Sequence, residues 1–202
     1  RIRLVSVRQE GGGSLAAHGY AQVKRKPAAV FVSRGPGAAN ASIGLHAAHQ
    51  DSIPMVMFLG QVRSHMKGRE SFQEIDPNTS FGSMSKAVLE PNSAQEMVTM
   101  ARQAIEISQS GRPGPVVVVM PRDFGETKVD EDIETRPYER KQVLSDQNSL
   151  NELIDGLNKS VKPILLAGEL ARGENVRDLL VKLSDKLGAP VISAYRCQDV
   201  VE

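Results

Sequence analysis

Apolar and polar positions along the chain fall into short blocks whose period switches between that of a strand and that of a helix. Ile2, Leu4, Val5 and Val7 make Arg1–Val7 read as a strand. Gly11–Lys24, rich in alanine and opened by glycines, follows as a helix. Ala28–Ser33 is an unbroken apolar run, which predicts a strand covered on both faces. Gly35–Gln50 is a second helix, with Pro36 tolerated in its first turn. Pro54–Leu59 is another buried strand. Gln61–Ala87 is polar, has no period and carries Gly68, Pro77 and Gly82, so it is expected to be a long loop that carries function or is partly structured. Ser93–Ser110 is a helix with Ser93 and Glu96 as a capping box and Gly111 as its stop. Its apolar residues run around much of the circumference, which predicts a sandwiched helix. Val116–Met120 is a fourth buried strand.

Beyond Pro121 the pattern lapses. The acidic run Asp130-Glu131-Asp132, then Arg136-Pro137 and Glu139-Arg140-Lys141, has the composition of an interdomain linker. The helical stripe Leu150, Leu153, Ile154 and Leu157 opens a second unit, followed by a strand at Pro163–Ala167. A further stripe, Val176, Leu179, Leu180, Leu183 and Leu187, stops at Gly188, and Ala189–Ser193 is a strand with no helix after it. The fold class is therefore α/β. Residues 1–125 form a parallel sheet with helices on both faces, 126–146 a linker, and 147–202 an incomplete second α/β, Rossmann-like unit. Bare strands at both ends lead us to expect a piece of a longer polypeptide, because each parallel strand needs a crossover helix to cover it.

Composition narrows the function classes. Of 202 residues, 40% are hydrophobic and 24% charged, a globular balance. Lys+Arg 25 against Asp+Glu 24 gives a net charge of +1, which offers nothing to attract nucleic acid or an anionic membrane. The apolar runs are too short for a membrane span. One cysteine, Cys197, permits no internal disulfide and fits a reducing, cytoplasmic setting.

In open parallel sheets, ligands bind beyond the carboxyl ends of the strands. Those ends carry Arg8-Gln9-Glu10-Gly11-Gly12-Gly13, Arg34-Gly35-Pro36-Gly37-Ala38-Ala39-Asn40, Gly60-Gln61-Val62 and Pro121-Arg122-Asp123, all expected on one edge. Glu10 stands out. It is either a first-turn acid favoured by the helix dipole, or a partly buried carboxylate of raised pKa that passes or holds a proton. The glycines admit a rival: Gly11-x-Gly13-x-x-Ala16 after a strand, with Ser33-Arg34 ending the next, fits an NADP-dependent oxidoreductase. A non-catalytic regulatory module is a third reading, against which the presence of Glu10 counts. No Gly-x-x-x-x-Gly-Lys-[Ser/Thr] motif occurs, His46 and His49 lack further ligands for a metal, and Ser14 and Ser33 lack a base.

Taken in order, these tips together with Asp51–Val56, Ser71-Phe72-Gln73-Glu74 and Gly111–Val116 resemble the thiamine-diphosphate-dependent enzymes of the acetolactate synthase-like family. The resemblance covers essentially the whole chain, as most of the pyrimidine-binding domain plus the opening of the central domain. It implies decarboxylation or carboligation of a 2-keto acid. In that family a glutamate, matched by Glu10, hydrogen-bonds N1′ of the cofactor's aminopyrimidine. Sharing that proton favours the imino tautomer, which deprotonates thiazolium C2; the resulting ylide attacks the keto carbonyl, and the cofactor accepts the electrons as CO2 leaves. Gly35, Pro36, Gly37 and Asn40 match the turn beside the pyrimidine. Phe72 and Gln73 match a substrate-side pair, and Arg122 stands where acetolactate synthases carry a lysine. Arg34 stands where the family has a small residue. Arg112 matches an arginine that contacts FAD, while the turn Ala167-Gly168-Glu169-Leu170 lacks the family's run of glycines and argues against FAD.

The resemblance also implies Mg²⁺ and diphosphate held by a further domain, whose Gly-Asp-Gly motif does not occur here. It implies an active site formed between two chains, hence a homodimer or homotetramer. The 202-residue chain alone is expected to have no turnover.

Overall fold

The continuous apolar runs build the central sheet of the computed structural model, which describes residues 3–130, 145–173 and 175–201. They become β1 (Ala28–Val32) and β2 (Met55–Gln61), joined by the short β3 (Ala87–Leu89) and by β4 (Pro115–Pro121). All pairings are parallel, in the order β1-β2-β4-β3. Side chains alternate across the sheet, as strand geometry demands. Val30, Val32, Met55, Met57, Leu59 and Val117 pack on one face, and Val56, Val116 and Val118 on the other.

Helices α1 (Glu10–Lys24) and α2 (Arg34–Gln50) cover the first face through Ala21, Ala38, Ala41, Leu45 and Ala48. The small residues let the helices lie close. A Cβ on Gly11 would stand 2.9 Å from the Asn40 carbonyl, and one on Gly44 would stand 2.4 Å from Ser14. Helix α3 (Pro77–Phe81) plugs one end of this core with Phe81. Helix α4 (Ala94–Gln109) covers the second face through Ala104. Ser93 accepts the Glu96 N–H as the capping box requires, but the Glu96 carboxylate reaches the Asn92 N–H instead of Ser93. A one-turn helix, α5 (Arg122–Gly125), follows β4.

Two expectations are corrected. The alternating segment before α1 forms no strand over residues 3–9, where Leu4, Val5 and Val7 are exposed. Alternation makes a strand only beside a partner, and among the described residues β1 pairs with β2 alone. Val7 instead lies over Gly13. The stretch 61–87 is partly structured: it holds a 3-10 turn at Ser64–Met66, α3 and a second 3-10 turn at Gly82–Met84, and its last residue opens β3. Finally, α4 packs on one side only and leaves Ile105 exposed, so it is not sandwiched.

The chain divides into two compact units, Arg1–Arg140 and Lys141–Glu202. Most of the expected linker lies outside the described residues. In the second unit, α6 (Gln147–Lys159), β5 (Leu165–Ala167), α7 (Val176–Leu187) and β6 (Val191–Ser193) alternate as predicted, with β5 and β6 parallel. Its buried cluster is small, formed by Ala167, Cys197 and Val200. Arg172 ties Glu169, Asp199 and the Arg196 carbonyl together there.

Candidate active site

The carboxyl ends of β1, β2 and β4 lie along one edge of the sheet, and the start of α1 joins them there. Gln9 caps α1 by accepting the Gly12 N–H at 2.8 Å. That cap places Glu10 in the first helical turn, facing α2. Asn40 Nδ2 donates to Glu10 Oε2 at 3.0 Å. A Cβ on Gly37 would touch Glu10 Oε1 at 3.5 Å, so the carboxylate rests against the opening turns of α2.

The sequence reading gave a functional Glu10 a raised pKa. The structure reverses that direction. Glu10's own backbone N–H and the Asn40 amide stabilise the charged form and outweigh the opposing effect of burial. Glu10 is only partly buried and its carboxylate bond to Asn40 is exposed, so desolvation is too weak to win.

The loop after β2 reaches the same place by another route. The Gly35 N–H donates to the Gln73 carbonyl at 2.9 Å, and Arg34 Nη1 donates to the Phe72 carbonyl at 3.0 Å. Gln61, buried at the tip of β2, donates from Nε2 to the Ile75 carbonyl at 2.7 Å. Glu74 closes the turn by accepting the N–H groups of Gly68 and Ser71, which hold its carboxyl below the usual range. The Phe72 side chain is 78% exposed. Arg34 and Gln73 have φ of +32° and +63°, in the left-handed region that non-glycine residues avoid at a cost of about 1–2 kcal/mol.

Glu10, Gly35, Pro36, Gly37, Asn40, Phe72 and Gln73 therefore form one continuous set. Arg122 opens α5 on the same edge, at the tip of β4. Its Nε pairs with Glu126 Oε1 at 3.1 Å, and Arg63 pairs with the other oxygen at 3.0 Å. Asp123 accepts the N–H and hydroxyl of Ser64, which ties the tips of β2 and β4 together.

Arg112 lies apart from this set. It sits at the opposite edge of the sheet and caps the far end of α2, donating to Ser52 Oγ at 2.8 Å and to the His49 and Gln50 carbonyls. The dinucleotide reading loses its context, because Gly11 and Gly13 lie inside α1 and residues 3–9 before it form no strand. Among the described residues no three His, Cys, Asp or Glu side chains gather in a way that would hold a metal ion. No helix among them is long and apolar enough to cross a membrane.

Sequence reasoning passed over Gln61, Glu74 and the structural part played by Arg34. The first two stood in the quoted segments, but only the contacts reveal what they do.

Residues 1–80 match the family described as thiamine pyrophosphate enzyme, N-terminal TPP binding domain. The chain is 34% identical to the mitochondrial acetolactate synthase catalytic subunit of Saccharomyces cerevisiae, over 97% of this chain and 30% of that protein. It is 33% identical to a probable acetolactate synthase large subunit of Methanococcus aeolicus, over 91% of this chain and 32% of that protein. It is 32% identical to the acetolactate synthase large subunit of Haemophilus influenzae, over 96% and 35%. The chain thus spans about a third of the length of the curated relatives it matches.

Proposed function

The chain belongs to the thiamine pyrophosphate enzymes of the acetolactate synthase-like family, and from that premise we propose that it supplies the pyrimidine side of an active site that decarboxylates a 2-keto acid and ligates the product. The observation that carries this reading is the Glu10 carboxylate, seated against the glycine-rich opening of α2 and oriented by Asn40.

The site fits an aminopyrimidine. A carboxylate with one oxygen already held by Asn40 can accept a hydrogen bond from a ring N–H. The small residues Gly35 and Gly37 let a flat ring approach the backbone. Thiamine diphosphate, when bound, supplies the electron sink that a 2-keto acid decarboxylation needs. Glu10 holds the proton at N1′. Ionised at neutral pH, Glu10 would accept a hydrogen bond from N1′ when that atom carries a proton. Phe72 and Gln73 line the substrate side, and Arg122 offers a guanidinium on the same edge.

The described residues offer no cluster to hold Mg²⁺, and Arg112, the match to an FAD contact, is engaged in capping α2. A homodimer or homotetramer is consistent with the exposed apolar residues Leu15 and Val23 on α1 and Ile43 on α2, which a second subunit would cover. The lone, buried Cys197 suits the cytoplasm.

The test is consumption of 2-keto acids by the enzyme that carries this chain, with and without thiamine diphosphate and Mg²⁺. CO2 release dependent on thiamine diphosphate is the expected result. Turnover of a nicotinamide cofactor, with no thiamine diphosphate bound, would contradict it.

A further inference from the structure

We propose that Arg34 is a positioning residue, which holds the loop bearing Phe72 and Gln73 against the start of α2 and so fixes the substrate-side wall. The inference rests on the functional reading above for what the loop does, and on geometry alone for how the loop is held.

The backbone of the loop is anchored at nearly every step. The Phe72 carbonyl takes Arg34 Nη1, the Gln73 carbonyl takes the Gly35 N–H, and the Ile75 carbonyl takes Gln61 Nε2. Within the loop, the Glu74 N–H reaches the Ser71 carbonyl, and the Glu74 carboxylate takes the N–H groups of Gly68 and Ser71. The side chains tell the opposite story. Phe72 projects into solvent, and the Gln73 amide has no hydrogen-bond partner among the described residues. A loop with a pinned backbone and two unengaged side chains is built to present those side chains.

Arg34 is the anchor that exists for this purpose alone. Gln61 also holds the Val62 N–H and Gly35 also shapes the turn, whereas the Arg34 guanidinium donates to the Phe72 carbonyl. Its donor is charged, which makes the bond stronger than its neutral neighbours. Its backbone sits at φ +32°, opposite Gln73 at φ +63°. Such conformations persist only where surrounding contacts over-determine them. A glycine would adopt the Arg34 conformation more easily. An arginine there is explained by its side chain and not by its backbone.

That contrast supplies the test. Arg34→Gly removes the guanidinium while relaxing the backbone, so a loss cannot be blamed on strain. Amide hydrogen exchange is followed by NMR in the 202-residue chain. The Gly35 N–H reports directly, because its acceptor is the Gln73 carbonyl. After correction for the neighbouring residue, Gly35 protection is expected to fall about tenfold or more in Arg34→Gly. Phe58 and Val118, in the central strands, are expected to stay protected, which shows the fold intact. Arg34→Lys, which keeps one charged donor, is expected to retain most of the protection. Unchanged Gly35 protection in Arg34→Gly would overturn the proposal.

In the cofactor-loaded enzyme, Arg34→Gly is expected to raise KM for the 2-keto acid several-fold and leave kcat close to wild type. A fall in kcat at constant KM would mark a merely structural role and overturn the assignment. The exchange measurement needs neither cofactor nor substrate. Failure of the functional reading therefore leaves it decisive for Arg34.

Discussion

Glu10 shows how little of a residue's chemistry follows from its place in a motif. Its place at the glycine-opened start of α1 was legible in the sequence, and its companionship with Gly37 and Asn40 followed from the family resemblance; its Gln9 cap did not show there. The direction of its pKa was not, because that depends on which donors face the carboxylate. Here its own N–H and Asn40 lower it. Removing one donor should undo part of the shift. Asn40→Ala is expected to raise the Glu10 pKa, read as the carboxyl carbon-13 shift against pH; an unchanged titration would show that Asn40 does not orient the carboxylate. The sign for stability follows from linkage. A carboxylate depressed in the folded state adds stability above its unfolded value, near 4.5, and loses that contribution as pH falls through the folded pKa. Glu74 obeys the same rule, with Gly68 and then Ser71 as the donors that depress it. Acidification below about pH 4.5 should therefore loosen the 68–74 turn before it unfolds the sheet. Exchange at the Ser71 amide, followed from pH 6 to pH 3 and corrected for intrinsic rate, would reveal that order; equal loss at Val118 would contradict it.

At the scale of elements, the apolar runs gave the strands to within two residues, because continuous Val, Met and Leu have no other place than a covered parallel sheet. The helices followed from alanine-rich and capped segments. Two stretches escaped. Residues 61–87 hide three short elements and the first residue of β3, whose stability comes from tertiary contacts, such as Asp76 capping α3 and Phe81 entering the core, and no period betrays segments of three to five residues. Residues 3–9 alternate like a strand yet have no strand beside them. The crossing of α1 and α2 carries the site, and it tolerates no added bulk. Gly44→Ala should gain helix propensity but drive a Cβ to 2.4 Å from Ser14, for a net loss of about 1–3 kcal/mol in urea unfolding. Because the helices must part, it should also perturb the Glu10–Asn40 contact. Leu45→Ala, a cavity in the same helix, should cost about 2–5 kcal/mol and leave that contact in place. Equal effects of the two variants on Glu10 titration would argue that the crossing does not set the site.

For the whole molecule, the two units differ in what holds them. The first buries a covered four-stranded sheet, while the second buries a small cluster around Ala167, Cys197 and Val200 and leaves Leu153, Leu166 and Leu179 exposed. Two paired strands are rarely stable without further cover. Amides of β5 and β6 should therefore exchange faster than those of β2 and β4. The central claim belongs to the first unit: that Glu10 handles the proton on which a thiamine diphosphate enzyme depends. The most direct measurement is the rate at which the bound cofactor's C2–H exchanges with deuterated solvent, in the enzyme carrying this chain and in its Glu10→Gln variant. The account predicts slowing by about 100-fold or more, the scale of a lost general acid–base group. Exchange at the wild-type rate, with the cofactor still bound, would contradict it.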